Sequence, residues 1–268
     1  EYVKTFDGLI AQHAQDPRLT ENSQMNEGEI SARLGLKGWP AVAEEAIIAR
    51  DVLLAEHVDS RLHICHLTTA GGVEIVRRAK ERGIKVTAEV TPHHLLLTDE
   101  KAESYDPVFK VNPLLRTNGD VIALREGLAD GTIDIIATDH APHPNEAKDC
   151  EWSAAAFGMV GLETAFSIAY LTMVQSGLMT LADLVNRMSN APARIGRYAG
   201  HGEIKVHSPA NVVLVDLAAT WHVEREHLHS KSKNTPFHGM ELPGVIKKTF
   251  HNGALVYENL DSRGGVKK

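Results

Sequence analysis

The stretch Ile133-Asp-Ile-Ile-Ala-Thr-Asp-His-Ala-Pro-His-Pro144 decides how the chain reads. A short apolar run ends in an acid and two histidines, and Pro142 and Pro144 then restrict the backbone. An open α/β sheet or a (β/α) barrel places its chemistry at the C-terminal ends of parallel strands, and Asp139 falls at such an end.

Working outward, the same grammar recurs. Gly8–His13, Arg61–His66, Lys85–Val90 and Ile133–Thr138 are apolar runs of strand length. Between them, helical spacing predicts helices over Pro40–His57, Val73–Arg82 (closed by Gly83) and Val121–Ala129 (followed by Gly131). Met159–Met173 and Leu181–Met188 read as two more helices behind the last strand. Alternating strands and helices imply a parallel sheet. Each predicted strand ends in polar residues: His13, His66, the Thr91–His94 cluster and Asp139.

Near residue 200 the pattern changes. Glu203–Val206, Asn211–Asp216, Val245–His251 and Ala254–Tyr257 predict short strands without long helices, and Asn252-Gly253 is a hairpin signal. The expected organisation is therefore α/β over residues 1–200 and part of a small β domain over 201–268.

Composition excludes several function classes. The chain has 268 residues, 43% hydrophobic and 24% charged, as in ordinary globular proteins. A net charge of -7 argues against nucleic acid as the main partner. Cys65 and Cys150 make no disulfide framework, which suits a reducing cytoplasm. No apolar run is long enough to cross a bilayer, and the first residues do not read as a signal peptide.

The candidate chemistry lies at the strand ends. Neutral imidazoles and a carboxylate suit a borderline cation such as zinc, but a strand-end His can equally be a hydrogen-bonded packing residue. Strand alternation puts Ile64 and His66 on one face and His63 and Cys65 on the other. In Lys110-Val-Asn-Pro-Leu-Leu-Arg116, Asn112 offers a donor and an acceptor. Arg116 offers either a fork for a carboxylate or an ordinary surface cation. Ala156-Phe-Gly-Met159 is either a helix entry or a place where backbone approaches a flat ligand. His93 and His94 read as packing, since neighbours on a strand point to opposite faces.

Taken together, IAQHAQDPRLT around His13, HICHLTT around His66, EVTPHH, KVNPLLR, ATDHAPH and SKNTPFHG near the C-terminus resemble the type I dihydroorotase family of the amidohydrolase superfamily. The resemblance implies a distorted (β/α)8 barrel beside a small β-sandwich, and a cofactor of one or two zinc ions. It implies His13, His66 and Asp139 as metal ligands, Asp139 also as the catalytic proton shuttle, and Asn112, His143, Phe157 and Gly158 as substrate-binding residues. The implied reaction is reversible ring opening of dihydroorotate to N-carbamoyl-aspartate in pyrimidine biosynthesis. A homo-oligomer and an aspartate transcarbamoylase partner are further expectations. Two other readings stay open: a hydantoinase or allantoinase, and a non-catalytic dihydroorotase-like scaffold.

The sequence also departs from the family. The His-x-His pair of the first barrel strand has no counterpart in a matching context, and Asp7 does not sit in the family's bridging-acid motif. His227-Leu-His229 has the spacing but lies in a polar tail. The expectation is that residue 1 falls just before the fifth barrel strand, so that this chain carries roughly strands five to eight and would be inactive by itself.

Overall fold

The structure is a computed structural model, and it describes residues 1–259. Strands β1 (Leu9–Gln12), β2 (Met25–Asn26) and β3 (Gly38–Trp39) flank the short helix α1 (Glu29–Leu34). Then follow α2 (Val42–Val58), β4 (Arg61–Ile64), α3 (Ala70–Glu81), β5 (Val86–Val90), α4 (Asn118–Asp130) and β6 (Ile135–Ile136). The short helices α5 (Asn145–Lys148), α6 (Ala165–Ala169), α7 (Leu181–Val185) and α8 (Ala191–Gly196) precede β7 (Val212–His222), β8 (Glu241–His251) and β9 (Ala254–Glu258).

Strands β1, β4, β5 and β6 form one sheet in that order, every pair parallel. One face is apolar throughout: Leu62, Ile64, Val86, Ala88 and Val90 are at most 4% exposed. They pack on Ile48 and Val52 of α2, Val73 and Val76 of α3, and Leu124 and Leu128 of α4. Removing that surface from water is the main force seating the helices. The helices begin where capping chemistry allows. Thr69 accepts from the Gly72 amide at 3.1 Å, and Thr117 and Asp120 form a reciprocal capping box. Gly131 ends α4 with φ +91°, a conformation that costs glycine little.

The second sheet, β7-β8-β9, is antiparallel. Asn252 and Gly253 join β8 to β9 with φ of 49° and 82°, the two left-handed residues a tight hairpin needs. Seams to the first unit run through Phe237, Leu242 and Val223, which pack with Met159 and Ile168. The Ser167 hydroxyl donates to the Gly244 carbonyl and accepts from the Trp221 indole, both at 3.0 Å.

Several boundaries differ from expectation. Residues 159–164 are not helical. The Met159 carbonyl accepts from Ala141, the Val160 amide donates to Asn234, and the Gly161 amide donates to His140 Nδ1. Those long-range bonds outcompete the helix, which starts only at Ala165. It then widens into a π turn over Tyr170–Val174. Glu203–Val206 forms no strand, and Ile204 and Val206 are exposed.

Candidate active site

The backbone ladder of the parallel sheet runs on past its strands. The Cys65 amide donates to the Gln12 carbonyl, that of Leu67 to Glu89, and that of Ala137 to Val90. His13, His66, Thr91 and Asp139 are therefore carried to one level on one rim. His66 and Asp139 both leave their strands in the left-handed region, with φ of 34° and 45°. Such conformations cost about 1–3 kcal/mol for a non-glycine residue and concentrate at functional sites.

His13 and His66 meet. His13 Nδ1 lies 2.9 Å from His66 Nε2, with the rings edge-on. Gln15 fixes the tautomer. Its amide nitrogen donates to Thr20 at 2.7 Å, so its Oε1 is the acceptor for His13 Nε2–H at 3.0 Å. His13 Nδ1 is then a bare lone pair aimed at His66. Burial lowers the His66 pKa, with the neighbouring His13 adding to the shift, while Asp139 and Glu89 oppose it from nearby. The His66 ring is therefore neutral, the state that ligates a metal. Its Nδ1 is buried without a hydrogen-bond partner among the described residues. Tetrahedral zinc holds nitrogen ligands about 3.3 Å apart, from bond lengths of 2.0–2.1 Å, so a slight opening of this pair would admit the ion. The residues fit the metal.

Asn112 reaches the same place. Its amide nitrogen donates to Gln15 Oε1 at 3.2 Å. Its Oδ1 is buried with no partner among the described residues, an acceptor left for something else.

Across the rim, His143 Nε2 donates to the Phe157 carbonyl at 2.8 Å. Gly158 sits at φ +147°, and a Cβ there would lie 2.7 Å from His143 Nε2 and 2.8 Å from the Ala141 Cβ. Only glycine lets the loop close on His143. Asn234, in the SKNTPFHG segment, donates to the Ala141 and Gly158 carbonyls at 3.0 and 3.1 Å. The Gly158 amide donates to the Lys110 carbonyl at 2.9 Å. His143, Phe157 and Gly158 are thus assembled as one loop pair, while this backbone is largely spoken for within the protein.

Sequence reasoning missed what holds that loop. Lys110 is 1% exposed and donates to the Trp152 and Ser153 carbonyls, with its ammonium 4.4 Å from the centre of the Phe157 ring. Lys148 donates to the Lys110 and Ala156 carbonyls, and burial lowers its pKa to about 8. Arg116 is not a fork for an external carboxylate. It is 2% exposed and donates to Asn26, the Trp39 carbonyl and Thr68, tying β2, β3 and the loop after β4 together.

His94 is packing, as expected, between the Thr91 hydroxyl and the Pro113 and Leu114 carbonyls. Burial holds His93 neutral, down to about 3. His227 and His229 are exposed, and His229 packs edge-on against Tyr257 of the second sheet. Cys65 shares the face of His63, as strand alternation predicts. Its sulfur lies within 4.8 Å of a His63 nitrogen and a Glu89 oxygen.

The sequence model of the amidohydrolase family matches residues 24–256. The chain belongs to the amidohydrolase family. It is similar to a dihydroorotase of Streptomyces coelicolor, 66% identical over 94% of this chain and 59% of that protein. A dihydroorotase of Leifsonia xyli is 60% identical over all of this chain and 62% of the relative. The chain thus spans about three fifths of the length of these curated relatives. Among solved structures, an L-hydantoinase from Arthrobacter aurescens superposes with a TM-score of 0.87 at 29% identity, over 96% of this chain and 58% of that one. A dihydropyrimidinase from Brevibacillus agri, 24% identical with a TM-score of 0.85 over 96% and 58%, shares the fold. Metal dependence, general in this amidohydrolase family, agrees with the donor set at the rim.

Proposed function

We propose that the rim of the parallel sheet is the site of a zinc-dependent dihydroorotase, interconverting dihydroorotate and N-carbamoyl-aspartate. The observation that carries this is the facing pair of His13 Nδ1 and His66 Nε2 at 2.9 Å, with Asp139 close enough to act on His66. The sheet is proposed as strands five to eight of a (β/α)8 barrel, and residues 201–259 as part of a β-sandwich expected over 201–268, of which 260–268 lie outside the described residues. On that reading these four strands hold only part of the ligand set, His13, His66 and Asp139, and residues 1–268 by themselves are inactive.

Zinc, when bound, supplies Lewis-acid chemistry that polarises a carbonyl and acidifies water. The chain's own residues do the rest. Asp139 takes a proton from the attacking water and delivers it to the ring nitrogen as the amide bond breaks. Asn112 Oδ1, buried and unpartnered among the described residues, accepts from a ring N–H. His143 holds the substrate carboxylate. Its Nε2–H is committed to the Phe157 carbonyl, so Nδ1 is the ring atom left to face the substrate. Phe157 and Gly158 line the ring of the substrate. A cytoplasmic homo-oligomer, with an aspartate transcarbamoylase as a further partner, completes the proposal. Among the described residues no helix is long and apolar enough to cross a membrane.

The structural likeness to an L-hydantoinase gives the second reading, an enzyme for uncharged cyclic amides. Turnover of dihydroorotate, hydantoin and dihydrouracil by the intact protein separates the two. Dihydroorotate is expected to be preferred, with the preference falling in His143→Ala. Faster turnover of the uncharged rings would overturn the assignment.

A further inference from the structure

We propose a second metal site, built from His63, Cys65 and Glu89 on the face of the parallel sheet opposite its helices, suited to a thiophilic divalent cation such as zinc, cobalt or cadmium. The helix side of β4 and β5 is filled by Leu62, Ile64, Val86 and Ala88. The other side carries His63, Thr87 and Glu89, at paired positions that point the same way. Cys65 follows directly from β4. One donor atom from each of His63, Cys65 and Glu89 lies within 4.8 Å of the other two. His63 is 5% exposed, and the Glu89 side chain 15%.

Imidazole, thiolate and carboxylate form a donor set that zinc takes with bond lengths of about 2.0 to 2.3 Å, leaving a fourth position open. Such bonds put ligand atoms roughly 3.3–3.8 Å apart, so the three side chains need close by an ångström or so. His63 Nε2 and Glu89 Oε2 are already 3.0 Å apart, with His63 oriented by Thr87 Oγ1 at 2.8 Å from Nδ1. That hydrogen bond leaves Nε2 as the coordinating nitrogen, the usual role of a partner on the far side of a ligating ring. On coordination the Cys65 thiol proton leaves to solvent, and neutral His63 binds through Nε2 while its ring proton stays on Nδ1.

The site is independent of the proposed reaction, since none of its ligands is His13, His66 or Asp139. It borders that centre, since Cys65 directly precedes His66. Glu89 Oε1 accepts from the His66 amide at 3.3 Å, the residue in the left-handed conformation. An ion drawing on Glu89 would therefore pull on the segment that presents His66.

Cobalt(II) titration of the intact protein, followed by absorption, tests the proposal. Thiolate ligation gives an intense near-ultraviolet charge-transfer band that His and Asp ligands cannot give. Cys150 is the other cysteine of these 268 residues, so Cys150→Ser provides the background. The band is expected in Cys150→Ser, lost when Cys65→Ser is added, weakened at least tenfold in apparent affinity by Glu89→Gln, and retained in His13→Asn. Circular dichroism of each variant checks that it is folded. Weak visible cobalt bands without the thiolate band would overturn the second site and leave the first untouched. A thiolate band that survives Cys65→Ser would also overturn it. Visible bands unchanged by His13→Asn would count against the proposed function alone.

Discussion

The molecule holds two sheets that spend their residues in opposite ways. The parallel sheet has strands of only two to five residues, buried on the helix side, and every strand end carries a polar group to one rim. The antiparallel sheet has two strands of eleven residues, yet Val213, Leu214, Leu255 and Val256 are 46–59% exposed. Its histidines, His222 and His251, are exposed, His222 lying 3.5 Å from Glu241 and His251 3.2 Å from the Asn252 amide nitrogen. Length of regular structure does not mark the functional part. What marks it is where short strands stop, because parallel neighbours must all stop at the same edge.

Substitutions should separate the two regions sharply. Outside the proposed metal ligands, the largest effect is expected at Gly158. Gly158→Ala places a methyl 2.7 Å from His143 Nε2 in a backbone region that L residues avoid. Turnover of dihydroorotate should fall about a hundredfold, the usual result of misplacing a binding group by an ångström. Far-ultraviolet circular dichroism should be unchanged, whereas unaltered kinetics would show that the loop does not touch substrate.

Asn234→Ala comes next. It strips the donor from the Ala141 and Gly158 carbonyls, which should cost about 1–3 kcal/mol in denaturant unfolding. A raised KM should accompany the loss, since the bonds also hold His143 and Gly158 together. The smallest effect is expected in the second sheet. Leu255→Thr, at a side chain 47% exposed, should stay within about 0.5 kcal/mol and leave kinetics unchanged. A large loss there would mean that the outer strand is covered in the intact protein.

The same contrast explains what was legible in the sequence. Periodicity, caps and the Asn252-Gly253 turn are local, and α2, α3, α4, β5 and the hairpin fall where they predict. Asp139, His66 and His13 stood out because a polar residue ending an apolar strand is a local signal too. The neighbours that orient them are not local. Gln15 meets Asn112 across 97 residues, and Asn234 reaches Ala141 across 93. Lys110 and Lys148 were invisible because a lysine is ordinarily a surface group, and here each is buried against carbonyls. Cys65 lies with His63, as strand alternation predicts, and the alternation ends at His66, where the backbone turns left-handed.

The central claim is that His13, His66 and Asp139 form one metal-dependent site. The most direct test is zinc content and dihydroorotate turnover of the intact protein after chelation and readdition of zinc, beside Asp139→Asn and His66→Asn. Chelation should abolish turnover and zinc should restore it. His66→Asn should lose zinc together with activity, and Asp139→Asn should lose activity even with zinc present. Turnover that survives chelation, or that persists in Asp139→Asn, would contradict the account.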